Sequence, residues 1–165
     1  MQLYEYTPAD EQDCLAIFDS NTPAFFAVQE RETFQAFLHR LTAPYSYFVA
    51  RDDAEKIVAC GGIKLDPSNR LAKLRWDMVA GAYHGRKIGT FLTFSRLQVI
   101  CQSVDIRAVR LHTSQHAYRF YEKLGFVSMH IIPNGILPGI DEYLMELELG
   151  EEKRGEIEGF AGLAP

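Results

Sequence analysis

Cysteine is scarce in this 165-residue chain: Cys14, Cys60 and Cys101 are odd in number, widely spaced and set among apolar residues. That pattern argues against a disulfide framework and supplies no metal-ligand spacing, so the thiols read as reduced, buried side chains of a cytoplasmic protein. An excess of positive charge is missing as well. Seventeen Lys and Arg stand against 22 Asp and Glu, giving a formal net charge of −5 and a pI near 5.5. General binding to nucleic acid or to an acidic membrane needs a basic face, which this balance does not provide. No apolar run approaches the ~20 residues that span a bilayer, and the polar, acidic first ten residues do not read as a secretory signal. There is no internal repeat and no P-loop ending in Gly-Lys-Ser/Thr. What the chain does have is 47% hydrophobic and 12% aromatic residues. That is enough for one domain folded by ordinary burial, in a chain too short for two comfortable cores.

Periodicity divides the chain into alternating elements. Residues 2–7 read as a short strand, and 10–19 as a helix with Cys14, Leu15 and Phe18 at helical spacing. A second helix over 30–41 uses Phe34, Phe37 and Leu38 as its buried stripe. Between the two lies an apolar connection containing Phe25 and Phe26, unusual for an exposed loop. Residues 45–51 and 57–65 form an antiparallel pair, and Gly61 and Gly62 mark a bulge or a close backbone contact. Strict alternation along a central strand, 71–80, puts Leu74, Trp76 and Met78 on one face and Lys73, Arg75, Asp77 and Val79 on the other. A long helix over 85–104 follows, then a strand over 107–113 and a short helix carrying Ala117, Phe120, Tyr121 and Leu124, with Gly125 at its left-handed end. A strand over 126–132, a Pro- and Gly-containing loop over 133–139 and a last strand over 142–149 complete the domain, 1–149. Residues 150–165 turn to charge and then to small residues, and read as a tail, mobile or docked on a neighbour.

The junction between the central strand and the long helix carries the most chemistry. It reads His84-Gly85-Arg86-Lys87-Ile88-Gly89 and continues into Thr90. The first N–H groups of a helix have no internal partner and sit at the positive end of its dipole, so a strand, a Gly-containing turn and a helix start together make an anion site. The segment resembles the pyrophosphate signature of the GCN5-related N-acetyltransferase (GNAT) family, Gln/Arg-x-x-Gly-x-Gly/Ala, with His84 in place of Gln or Arg and Lys87 in place of the first Gly. One helix and one strand downstream, the run from Ala117 to Phe126 resembles the family's Ala-x-x-x-Tyr-Glu-Lys-x-Gly-Phe. The resemblance extends from the N-terminal strand to about Leu149. It implies an α/β (α+β) fold: a mixed, mostly antiparallel sheet of six to seven strands flanked by about four helices, with a cofactor cleft where adjacent strands splay.

The same resemblance implies an acyltransferase that moves acetyl from acetyl-coenzyme A to an amine. It assigns the cofactor to His84, Gly85, Arg86, Lys87, Ile88, Gly89 and Thr90, to the backbone of Met78 and Val79, and to Ser114. Tyr121 takes the place of the family's acid; a phenol near pKa ~10 protonates a thiolate whose conjugate acid lies near ~8.5. Asp77 and His112 are the candidate bases, with a relay through water as the alternative and a plain salt bridge or structural role as the competing reading. Lys73 and Arg75 either favour an acceptor bearing a carboxylate or form a solvated strand face. Phe25 and Phe26 either line the acceptor pocket or plug the core edge. Specificity is expected in residues 23–30 and 133–140. No metal is implied, the partner is a small-molecule amine, and a homodimer is compatible with the fold. A non-catalytic acyl-CoA-binding domain and an interaction module are the alternatives.

Overall fold

The computed structural model describes residues 1–161; the last four residues of the expected tail lie outside them. The elements run β1 (Gln2–Glu5), α1 (Glu11–Ser20), α2 (Glu30–His39), β2 (Tyr45–Arg51), β3 (Ile57–Asp66), β4 (Leu71–Val79), α3 (Ile88–Cys101), β5 (Ala108–Ser114), α4 (Tyr118–Lys123), β6 (Val127–Leu137), β7 (Ile140–Glu148) and α5 (Glu151–Glu158). The strands form one seven-stranded sheet in the order β1-β2-β3-β4-β5-β7-β6, and only β4 and β5 pair in parallel. This is the mixed, mostly antiparallel sheet expected from the sequence. No helix among the described residues is long and apolar enough to cross a membrane.

Each face of the sheet has its own core. On one, Cys14, Leu15 and Phe18 of α1 and Phe34 and Leu38 of α2 pack on Tyr47, Val49, Cys60 and Met78. On the other, Leu97 and Ile100 of α3 meet Ile63, Leu74, Val109, Leu111 and Met145. Burying an apolar side chain of this size stabilises by about 1.5–3 kcal/mol relative to leaving it exposed, so the helical stripes are held by the strand faces that they cover.

Four expectations need correction. The first concerns β4, where strict alternation fails at Trp76. Trp76 has a φ of 53°, and the pairing with β3 slips so that Gly62 opposes Arg75 while Cys60 opposes Met78. Two residues, Trp76 and Asp77, therefore stand against Gly61 alone, which is a β-bulge. The Tyr47 hydroxyl donates to the Trp76 carbonyl at 3.0 Å and holds it in place. Past the bulge the parity inverts: Trp76 and Met78 stay on the α1/α2 face with Lys73 and Arg75, while Asp77 and Val79 turn towards α3.

The second concerns α3, which starts at Ile88 and ends at Cys101, shorter at both ends than the apolar run suggested. Gly85 at φ 77° and Lys87 at φ 61° form a left-handed turn before it. The third concerns the loop over 133–139, most of which belongs to β6. The strand absorbs a register slip between Ile132 and Leu137 by placing Asn134 at φ 55°.

The fourth concerns the expected tail, whose first part is α5, docked on its own chain. Ile157 is fully buried, Phe160 stacks on Phe94 at 4.7 Å, and Gln98 of α3 donates to the carbonyls of Ile157 and Phe160. Arg154 donates to the carbonyls of Cys101, Ser103 and Ile106, capping the end of α3 and the turn after it. Hydrogen bonds from charged donors are worth about 1.5–3 kcal/mol each. Arg154→Ala is expected to lower stability by about 2 kcal/mol in urea denaturation; an unchanged midpoint would show that α5 is only loosely attached.

Candidate active site

The cleft begins where β4 and β5 part. They pair only through Leu71 with Ala108, Ala72 with Val109 and Lys73 with Arg110. Beyond that point β4 bulges at Trp76 and stays with β3, while β5 stays with β7 to its last residue, Ser114. The backbone of β4 from Arg75 to Val79 thus faces a gap. At its end the Ala80 N–H donates to the Val58 carbonyl at 2.9 Å, and by strand alternation the N–H and C=O of Val79 point the other way, into the gap. The Val79 carbonyl is taken by Asn21 Nδ2 at 2.8 Å and His84 Nε2 at 2.9 Å. Its N–H faces the gap.

The gap leads to the start of α3. The Phe91 N–H reaches back to the Lys87 carbonyl at 3.1 Å, and no side chain caps the helix. The N–H groups of Ile88, Gly89 and Thr90 therefore point out of the helix start, at the positive end of the dipole. Arg86 lies over the Tyr83 ring at 5.1 Å and adds formal charge. Gly85 has open space where a Cβ would be, whereas a Cβ on Gly89 would meet the Phe120 ring at 3.2 Å. The first glycine keeps the approach clear, and the second lets α3 settle against α4. His84, although within the motif, is turned back onto β4.

Beneath the gap lies a buried polar group that links four elements, α3, α4, β3 and β4. Arg96 of α3 is fully buried and grips Asp77 with Nη1–Oδ1 at 2.5 Å and Nη2–Oδ2 at 2.8 Å. Its remaining donors reach the Gly62 carbonyl at 3.0 Å and the Leu92 carbonyl at 3.1 Å. Gly61 makes room for it, since a Cβ there would stand 2.6 Å from Nη1. Asp77 Oδ2 also accepts the Tyr121 hydroxyl at 3.2 Å. Burial, reinforced by the Asp77 charge, pushes the Tyr121 phenol well above its ordinary pKa, so it is a protonated donor throughout the neutral range. Asp77 has both oxygens occupied, by Arg96 and Tyr121.

On the opposite face of the sheet, His112 Nδ1 lies 2.6 Å from Glu142 Oε1, with the imidazole half-exposed. Lys73 and Arg75 share that face, Arg75 in solvent. Ser114, at the end of β5, is buried and accepts the His116 N–H at 3.2 Å. Phe26 is half-buried and stacks on Trp76 at 6.0 Å, while Phe25 sits edge-on between His84 at 5.7 Å and His116 at 6.5 Å. Residues 23–29 and Ile136, Leu137 and Ile140 enclose a cavity of about 350 Å³.

A model of the acetyltransferase (GNAT) family matches residues 14–126, more than half of the chain. The chain belongs to this family. The acyltransferase class and the coenzyme A cofactor expected from the motifs are therefore the family's own. Among solved structures, this GNAT domain is similar to a GCN5-related N-acetyltransferase from Kribbella flavida, with 20% identity, a TM-score of 0.73, and coverage of 90% of this chain and 97% of that one. It is also similar to an aminoglycoside 6'-N-acetyltransferase complexed with coenzyme A, with 17% identity, a TM-score of 0.71, and coverage of 90% and 97%. A third is the spermidine N-acetyltransferase from Vibrio cholerae in complex with CoA and spermine, with 15% identity, a TM-score of 0.72, and coverage of 93% and 96%. At these identities the likeness is one of fold. Among curated proteins, none matches.

The structure adds to the sequence reading at two residues of this GNAT domain. Lys87 occupies the left-handed position that the family's glycine suits, and an L-residue there costs roughly 1–2 kcal/mol. Lys87→Gly is expected to raise the stability of the unliganded protein by up to about 1 kcal/mol, the gain being offset by the extra freedom of glycine in the unfolded chain. A fall in the urea midpoint would mean that the side chain contributes more than its backbone strain costs. Arg96 escaped the sequence reading altogether. Its signal is there: it is the one charged side chain in IGTFLTFSRLQVIC, the sequence of α3. An isolated charge on an apolar helix calls for a buried partner.

Proposed function

We propose that the protein is an acetyl-CoA-dependent N-acetyltransferase acting on the amine of a small molecule, by direct attack on the thioester with Tyr121 as general acid. The observation that carries this is the continuity of three features. The outward N–H groups at the start of α3 adjoin the gap beside β4, and the gap is floored by the protonated Tyr121 hydroxyl. Anionic phosphates suit the helix start, the pantetheine arm suits the unpaired edge of β4, and the thioester then lies near Tyr121.

The neutral amine attacks the acetyl carbonyl, forming the C–N bond. The Val79 N–H stabilises the oxyanion of the tetrahedral intermediate. The C–S bond then breaks, the Tyr121 O–H turns from Asp77 Oδ2 to the departing thiolate of coenzyme A and gives it the proton, and the nitrogen gives up its own proton to a base or to water. We take His112 as the candidate for that role: the Glu142 carboxylate 2.6 Å from Nδ1 favours the tautomer with the proton on Nδ1, and Nε2 is then the nitrogen that accepts. Asp77 acts here as a positioning residue. Its bond from Tyr121 fixes the phenol, and Arg96 fixes Asp77.

The test is release of free thiol from acetyl-CoA across a panel of primary amines, with the acetylated product identified by mass. Acetyl-CoA bound without turnover of any amine would remove the enzyme reading and leave a cofactor-binding domain.

A further inference from the structure

The cavity beside the cleft has walls tied separately to the two strands that part. Residues 23–29 follow α1, whose C-cap, Asn21, donates to the Val79 carbonyl of β4 at 2.8 Å. The opposite wall, Ile136, Leu137 and Ile140, is tied to the residue after β5: Gln115 Nε2 donates to the Gly139 carbonyl at 2.8 Å, and Gln115 Oε1 accepts the Asp141 N–H at 2.6 Å. The cavity therefore straddles the mouth of the gap on the α1/α2 side. Its lining is Pro, Ala, Phe, Val, Ile and Leu together with Gln29, with no charged residue among the described ones. Phe25, Val28 and Ile136 are exposed there, at 39%, 64% and 37%. A polycation would find no carboxylate in this cavity, and an amino-acid carboxylate would find no cation. About 350 Å³ is the lower range of small-ligand pockets.

Taking the acetyltransferase reading as its basis, we propose that the acceptor is a primary amine on a hydrocarbon body, alkyl or arylalkyl, with the amine at the gap and the body between Phe25 and Ile136. Selectivity then comes from apolar burial rather than from ion pairing. Each methylene that enters the cavity strengthens binding by roughly threefold to fourfold. Spermidine, which carries further charges along its length, loses binding because these charges would be desolvated without partners.

The experiment is calorimetric titration of the protein saturated with coenzyme A, using butylamine, hexylamine, octylamine and spermidine. Affinity is expected to rise about tenfold for each two methylenes added until the cavity is full, with spermidine at least about tenfold weaker than hexylamine. Ile136→Asp, at an exposed position, is expected to weaken hexylamine about tenfold at unchanged coenzyme A affinity, and Phe25→Ala to flatten the chain-length series. Equal affinities along the series, tighter binding of spermidine, or unchanged hexylamine binding in Ile136→Asp would each overturn the proposal. Because binding is read without turnover, such a failure leaves acetyl transfer standing. Failed transfer with a steep chain-length series would sink the enzyme reading alone.

Discussion

Tyr121→Phe is expected to lower kcat by about 10²–10⁴, the range lost when a general acid is removed, while acetyl-CoA affinity stays within a factor of two or so because the ring remains. Phenylalanine keeps the packing against Phe120 and Phe126, at 4.9 and 5.7 Å. It removes only the hydroxyl that donates to Asp77. Asp77 keeps its two bonds from Arg96, so the fold should lose no more than about 1 kcal/mol. Burial and the Asp77 charge raise the phenol pKa. Wild-type rate loss above neutral pH should therefore not follow a Tyr121 titration until strongly alkaline conditions. Wild-type kcat in Tyr121→Phe, with a purified amine substrate, would move the acid role to another group or to water.

Arg96→Met is expected to lower stability by about 3–5 kcal/mol, because it leaves the Asp77 carboxylate in the interior with only a tyrosine hydroxyl for company. The guanidinium is fully buried and every bond it makes, to Asp77, Gly62 and Leu92, lies beneath the sheet. Arg96→Met combined with Asp77→Leu should recover much of that loss, since a buried ion pair replaced by apolar groups of similar volume is often neutral or stabilising. The double variant therefore separates the two roles. If Arg96 and Asp77 serve only the fold, it should recover activity along with its urea midpoint. If Asp77 positions Tyr121, the midpoint should return while kcat stays low, with acetyl-CoA affinity preserved. A single variant as stable as the parent would contradict the burial argument outright.

The parts of the site built on backbone geometry were legible in the sequence. A glycine-bearing turn before an apolar helix led to the neighbourhood of the helix start, which lies at Ile88 rather than Gly85, and Ala117 to Phe126 led to Tyr121, because short-range spacing is what sequence encodes most plainly. The cofactor cleft was legible only as a family trait, since no local signal says that β4 and β5 part after Lys73. The bulge at Trp76 was hidden for a physical reason. Leu74, Trp76 and Met78 are apolar on either parity, so the pattern cannot show that the strand switches faces between them. The price of that blindness was the grouping of Asp77 with Lys73 and Arg75, when it belongs with Arg96. Helix α5 was missed because Glu151–Glu158 is mostly charged and glycine-interrupted. Ile157, Phe160 and the bonds from Gln98 and Arg154 hold it, and all of these depend on distant partners. The Glu142 partner of His112 was equally invisible, being 30 residues away on a neighbouring strand.

The measurement closest to the central claim is acetyl-CoA titration followed by thiol release on the same sample, with hexylamine as acceptor and Tyr121→Phe alongside. The expected result is saturable binding by both proteins, one acetylated amine formed per thiol released by the wild type, and a rate lower by about a hundredfold or more in the variant. No binding of acetyl-CoA to the folded wild-type protein would contradict the account, because the outward N–H groups of Ile88, Gly89 and Thr90 would then hold no phosphate.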